Sequence, residues 1–234
     1  MVFRRNKKKK HLTHKNRLIT QTLPKSPISE QYRVIRTNIQ YTTVDKEVQL
    51  LMVTSSDPGE GKTTTAANLA IVFAQQGKKV LLVDADLRKP NIHYLFNLPN
   101  AYGLTSILVK SLNISNVITS TEEERLFILT SGPIPPNPAE LLSSIIMKDL
   151  IEELKQEFDL IIFDTPPLLA VTDAQIVANI CDSSILVIAS SKTEKEKALK
   201  SKELLSSSKS DLLGVVVNKK KISRKIQASY YYGD

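Results

Sequence analysis

The stretch Leu50–Ala70, LLMVTSSDPGEGKTTTAANLA, decides the fold. Leu50–Thr54 is an apolar run of strand length, and the turn that follows carries glycines at 59 and 61. Gly61-Lys62-Thr63 then opens a segment of helix length that runs to Gln76, with Gly77 placed to cap its C-terminus. A strand passing through such a turn into a helix is the geometry that holds phosphate. Amide N–H groups of the loop and first helical turn point at phosphate oxygens, and the helix dipole favours an anion there. Asp57, Pro58, Gly59, Glu60, Gly61, Lys62, Thr63 and Thr64 are therefore the candidate nucleotide-binding residues. The glycines let the backbone wrap closely, Lys62 reaches the β- and γ-phosphates, and the Thr63 hydroxyl can ligate Mg2+. The strict pattern G-x-x-x-x-G-K-[ST] asks for glycine where the chain has Ser56. The strand–loop–helix setting outweighs that mismatch.

Outward from this stretch, short apolar runs alternate with helical patterns. The runs are Val80–Val83, Leu126–Thr130, Leu160–Phe163, Ile185–Ile188 and Leu212–Val217, with the charged helical segment Glu194–Leu205 between the last two. In NPAELLSS, Asn137 is a good N-cap, Pro138 suits the first helical position and Glu140 completes a capping-box-like pattern. Strands apolar on both faces and alternating with helices predict a single α/β domain, P-loop NTPase-like, with a mainly parallel central sheet flanked by helices. Ligands of such sheets bind beyond the carboxyl ends of the strands. Asp84 and Asp86 follow the apolar run of VLLVDADLRKP, and Asp164 follows that of LIIFDTPP. Three carboxylates converging near phosphates make a candidate metal and acid/base site. Asp173, in VTDAQ, reads as an N-cap or turn residue.

Composition locates the charge. The chain of 234 residues is 41% hydrophobic, enough for a sizeable core, and its net charge is +8. Residues 1–17 hold eight Lys/Arg and no acid, and removing them leaves 24 basic residues against 24 acidic ones. The basicity belongs to an N-terminal arm, placed at residues 1–25, rather than to a groove, so no nucleic-acid partner is expected. If the arm acts, anionic lipid is its partner, at about 1 kcal/mol per basic residue near the surface. No apolar h-region follows the charges, and no run approaches the ~20 apolar residues of a membrane span. A lone Cys181 among apolar residues excludes an internal disulfide and reads as a buried, inert thiol. The chain reads as cytoplasmic.

PGEGKTTTAANLA, VLLVDADLRKP, LTSGPIPPNPAELL, FDTPP and a C-terminal tyrosine cluster together resemble the bacterial P-loop protein-tyrosine kinases, or BY-kinases. The resemblance is closest to the stand-alone cytoplasmic kinases of Gram-positive bacteria that regulate capsular or extracellular polysaccharide synthesis, and it runs from about Ser29 to the end. It implies ATP and Mg2+ as cofactors, a kinase domain over residues 26–218 and a mobile tail over 219–234. SSDPGEGKTT would be Walker A, VDADLR the second aspartate motif and IIFDTPP Walker B, making Lys62, Asp84, Asp86 and Asp164 the catalytic set. Tyr230, Tyr231 and Tyr232 would be the phosphoacceptors, alongside tyrosines of other proteins. A phenol is protonated at neutral pH and needs a base as its oxygen attacks phosphorus. Asp86 is favoured as that base, with Thr63, Asp84 and Asp164 holding Mg2+ directly or through water; exchanging Asp84 and Asp86 leaves the reaction class unchanged.

The family also implies a ring, often an octamer, built through an E-x-x-R-x-x-R helix near residues 29–40, matched by Glu30, Arg33 and Arg36. On residues alone these form a solvated stripe with an intrahelical Glu30–Arg33 pair worth ~0.2–0.5 kcal/mol. Phosphate adds about −1.5 to −2 charges per tyrosine, so a modified tail would leave the neighbour's site and the ring would open. A separate transmembrane protein would activate the kinase with a cytoplasmic tail and recruit it to the inner face of the membrane. Two rival readings remain. A ParA/MinD-like positioning ATPase would carry a lysine where this chain has Asp57, and a nucleotide-sensing binding module would leave the intact Lys62, Thr63 and aspartates without a reaction.

Overall fold

A computed structural model describes residues 18–42 and 48–221 of the chain. The basic run 1–17 and the tyrosines Tyr230, Tyr231 and Tyr232 lie outside the described residues. Within them the strands are β1 (Leu50–Ser55), β2 (Val80–Asp84), β3 (Thr119–Ser120), β4 (Leu126–Leu129), β5 (Leu160–Asp164), β6 (Ser183–Ala189) and β7 (Asp211–Asn218). They form one sheet in the order β3-β4-β2-β5-β1-β6-β7. The β3–β4 pair is antiparallel and every other neighbouring pair is parallel. All the predicted apolar runs are strands; β3, only two residues long, had no sequence signal.

Both faces of the central strands are covered, which is why they are apolar at successive positions. Leu51 and Val53 of β1, Val80 and Leu82 of β2, and Leu160 and Ile162 of β5 enter one core. Leu50 and Met52, Leu81 and Val83, and Ile161 and Phe163 enter the other. The first face carries α1 (Ile19–Thr22), α2 (Pro27–Thr42), α3 (Lys62–Ala74) and α4 (Ile92–Phe96). The second carries α5 (Leu104–Leu108), α6 (Pro138–Leu142), α7 (Ile145–Glu157), α8 (Asp173–Ala178) and α9 (Lys195–Ser206). Helix α3 is buried along nearly its whole length between the sheet and α1–α2, so it is apolar all round rather than on one stripe.

Local chemistry sets the element ends. Gly77 takes φ +100° and donates its N–H to the Ala74 carbonyl at 2.8 Å, closing α3 as expected. Asn137 and Pro138 do begin α6, but Asn137 caps no backbone amide; its carboxamide donates to Glu140 Oε2 at 2.6 Å. Residues 18–25 depart from the expected arm. Leu18 and Thr20 are buried, and the Thr20 hydroxyl donates to Asn68 Oδ1 of α3 at 2.8 Å, so residues 18–25 are part of the fold. Ser26 accepts the Ser29 amide at 3.1 Å and Pro27 takes the first helical position, so α2 starts before the expected residue 29 and runs past 40.

Candidate functional site

Strand β1 lies between β5 and β6, and its carboxyl end delivers the chain into the phosphate loop at the middle of the sheet edge. Ser56, the residue standing in for glycine, does not have positive φ and needs no glycine. Its hydroxyl accepts from Ser201 of α9 at 2.9 Å in the interior. Gly61 does need to be glycine: its φ is +103°, and a Cβ there would lie 2.0 Å from Asn218 Nδ2. Asn218, at the end of β7, donates that amide to the Glu60 carbonyl at 2.9 Å. The cradle is thus closed against the last strand.

The two carboxylates of the loop face inward or toward α9. Glu60 is buried; its Oε2 accepts the Asp57 amide at 3.0 Å and its Oε1 accepts from the Thr193 hydroxyl. Asp57 Oδ2 accepts from Lys197 Nζ of the same chain at 2.8 Å. A positioning ATPase needs a cation at this position aimed at a partner's phosphates; here it is an anion held by its own helix. Pro58, Gly59, Gly61, Lys62, Thr63 and Thr64 line a cavity of about 910 Å3, whereas the side chains of Asp57 and Glu60 do not.

Lys62 brings the predicted aspartates together. Its Nζ lies 3.0 Å from Asp86 Oδ2 and 3.3 Å from both Asp164 Oδ1 and Thr63 Oγ1. Asp84 and Asp164 are facing residues on the parallel β2–β5 pair, which explains their closeness across 80 residues of chain. Burial, then the Asp164 charge, pushes the Asp84 carboxyl up to about 7. Burial likewise raises Asp164, against the pull of Lys62. Burial works against the Lys62 charge, but Asp164 and Asp86 outweigh it and hold the ammonium above its ordinary pKa. Asp84 is committed to the backbone: Oδ2 accepts the amides of Asn91 and Ile92, each at 3.0 Å, and Oδ1 accepts that of Asp86 at 3.3 Å.

The site fits a hard divalent cation. Thr63, Asp86 and Asp164 present oxygens around a resident positive charge, and the buried Asp164 Oδ2 has no hydrogen-bond partner. Among the described residues no group of three or more His, Cys, Asp and Glu forms a metal cage by itself. That suits Mg2+, which keeps waters and is held by one or two carboxylates with substrate phosphates. One pair of residues beside the cavity escaped the sequence reading. Asp173 is not a cap, since Thr172 precedes α8 in that position. Its buried carboxylate takes Arg88 Nε at 2.8 Å and Nη2 at 3.0 Å. Arg88 stood inside VDADLR as a signal, but nothing in the sequence named its partner 85 residues away.

Glu30 and Arg33 form the exposed intrahelical pair on α2 at 3.0 Å. Arg36 turns inward and donates to the Val72 carbonyl of α3 at 2.8 Å.

Residues 48–207 match the family described as an AAA domain. The chain is 58% identical over 214 residues to the tyrosine-protein kinase YwqD of Bacillus subtilis, covering 92% of this chain and 90% of the relative. The chimerical protein CapA2B2 superposes with a TM-score of 0.85 at 46% identity, over 88% of this chain and 90% of the other. The kinase domain of the Escherichia coli tyrosine kinase ETK gives 0.84 at 33% identity, over 88% and 82%. The chain belongs to the family of bacterial tyrosine-protein kinases, built on an AAA-type P-loop domain.

Proposed function

We propose that this kinase transfers the γ-phosphoryl group of ATP to Tyr230, Tyr231 and Tyr232 and to tyrosines of other proteins, and so regulates capsular or extracellular polysaccharide synthesis. The observation that carries the reading is Lys62 Nζ, at 3.0 Å from Asp86 and 3.3 Å from Asp164, on the wall of the cavity that the phosphate loop opens into. Mg2+, when bound, neutralises charge on the β- and γ-phosphates. Thr63 and Asp164 would hold it, and Asp84 would act through water and through the backbone amides it fixes. Lys62 binds the terminal phosphates and so leaves Asp86. Asp86, released from its ion pair, accepts the phenolic proton as the new oxygen–phosphorus bond forms and ADP departs.

The acceptor tyrosines follow β7 by about a dozen residues, and an extended chain spans about 3.3–3.6 Å per residue, length enough for a neighbour's site or their own, and the family's ring favours the neighbour's. Glu30, Arg33 and Arg36 on α2 serve the ring contact, and a membrane-spanning partner's cytoplasmic segment activates the kinase and brings it to the membrane. No helix among the described residues is long and apolar enough to cross a membrane, in keeping with recruitment through a partner. Incubation with ATP and Mg2+ followed by mass spectrometry tests the reading. Phosphotyrosine on residues 230–232, absent from Lys62→Met, is expected; phosphate release with no phosphotyrosine would refute it.

A further inference from the structure

Two left-handed glycines flank Glu60: Gly59 at φ +76° and Gly61 at φ +103°. Glycine restricts its own backbone least of all residues, so the chain alone does not fix where Glu60 and the neighbouring amides point. Three bonds fix them instead. Glu60 Oε2 accepts the Asp57 amide at 3.0 Å, Oε1 accepts from the Thr193 hydroxyl, and the Glu60 carbonyl accepts from Asn218 Nδ2 at 2.9 Å. Only the first of these lies within the phosphate loop. The Glu60 side chain is buried, and neither it nor Thr193 lines the cavity. A carboxylate has no attraction for phosphate, so what Glu60 contributes to the loop is geometry.

The outside partners are themselves pinned. The Thr193 amide donates to the Ala189 carbonyl at 3.0 Å and its Oγ1 accepts the Ala189 amide at 2.8 Å, so the 189–193 turn closes on the end of β6. Ser190 donates its amide to the Asn218 carbonyl at 2.8 Å, which joins that turn to the end of β7. Thr193 and Asn218 thus belong to one framework, set by the β6–β7 pairing. The contact from α9 differs in weight. Lys197 Nζ lies 2.8 Å from Asp57 Oδ2, but both side chains are partly exposed, and such pairs contribute little in water. Loss of the Thr193 hydroxyl instead leaves a buried carboxylate oxygen without its donor. We propose that Thr193 is a positioning residue for nucleotide binding, acting through Glu60 to keep the loop amides in the arrangement that receives phosphate. The inference rests on the nucleotide-binding part of the kinase reading above and holds whichever group accepts the phosphoryl.

The test uses the full chain with ADP and Mg2+, read by calorimetry. Thr193→Val keeps the volume and deletes the hydroxyl. Its ADP affinity should fall about tenfold, because the loop then spends less time in the binding arrangement. Thr193→Ser, which keeps the hydroxyl, should recover most of that loss, and Lys197→Met should stay within about twofold of wild type. Glu60→Ala should cost at least as much as Thr193→Val. Once Glu60 is gone the hydroxyl has nothing to hold, so adding Thr193→Val to Glu60→Ala should change the ADP Kd by less than about twofold. A lowered Tm with an unaltered ADP Kd in Thr193→Val would reduce the hydroxyl to a fold contact and overturn the proposal. An equal loss from Thr193→Val with and without Glu60 would overturn it too, as would no recovery in Thr193→Ser. ADP binding that follows the expected order, in a protein that never forms phosphotyrosine, would instead strike the kinase reading and leave the role of Thr193 standing.

Discussion

At Gly61 the sequence motif and the packing make separate demands. The loop requires φ +103°, and Asn218 leaves no room for a methyl group, with 2.0 Å between its Nδ2 and a Cβ built there. Gly61→Ala is expected to lower ADP affinity at least about tenfold by calorimetry, by displacing the amides that hold phosphate. Adding Asn218→Ala should recover only the steric part, since the left-handed backbone is still strained. Cys181 gives a second check. It is 3% exposed, and burial pushes its thiol pKa up, so little thiolate forms. Iodoacetamide is expected to leave it unmodified in the folded protein and to label it fully in denaturant; labelling under native conditions would contradict the burial of Cys181 just after α8. Lys62, Thr63 and the three aspartates were legible because a strand end fixes where the next residues must lie. Arg88 and Asp173 were not, because their bond depends on two loops meeting, and Asp173 alone resembles any helix-start carboxylate.

The elements divide in the same way. Strands announced themselves because a two-sided sheet forces apolar residues at successive positions, so β1, β2, β4, β5 and β6 were readable from runs alone; β7, at the sheet edge, was readable as a run although Val215 and Val217 are exposed. Helices α4 and α5, five residues each, carry too few turns for a period to show. Helix α7 is longer, and its start is set by one hydroxyl: Ser144 Oγ accepts the Met147 amide at 3.2 Å. Ser144→Ala is expected to cost about 0.5–2 kcal/mol of stability in urea titration, with no change in ADP affinity. Residues 18–25 went unread for a different reason. Their neighbours in sequence are basic and carry no apolar pattern, whereas their place in the fold comes from Thr20 meeting Asn68 of α3, 48 residues away.

On the scale of the whole molecule, α2 stands between two roles. It covers α3 on one side and, in the proposed ring, meets a neighbour on the other. Among the described residues Arg33 bonds within α2, to Glu30, whereas Arg36 donates to Val72 of α3. Arg33→Ala is therefore expected to lower the mass measured by light scattering while Tm stays constant; Arg36→Ala should lower both. Identical masses for the phosphorylated and unphosphorylated wild type would dismiss the opening of the ring. The order of strands has a further effect, in time rather than space. Strand β1 sits in register with β5, Leu50 beside Ile161, and with β6, Leu51 beside Ser183. During translation the phosphate loop leaves the ribosome early, but neither neighbour of its strand exists until much of the polypeptide has followed. A nascent chain halted before residue 160 would carry every loop residue and still capture no ADP, so competence arrives late, after the strands that flank β1.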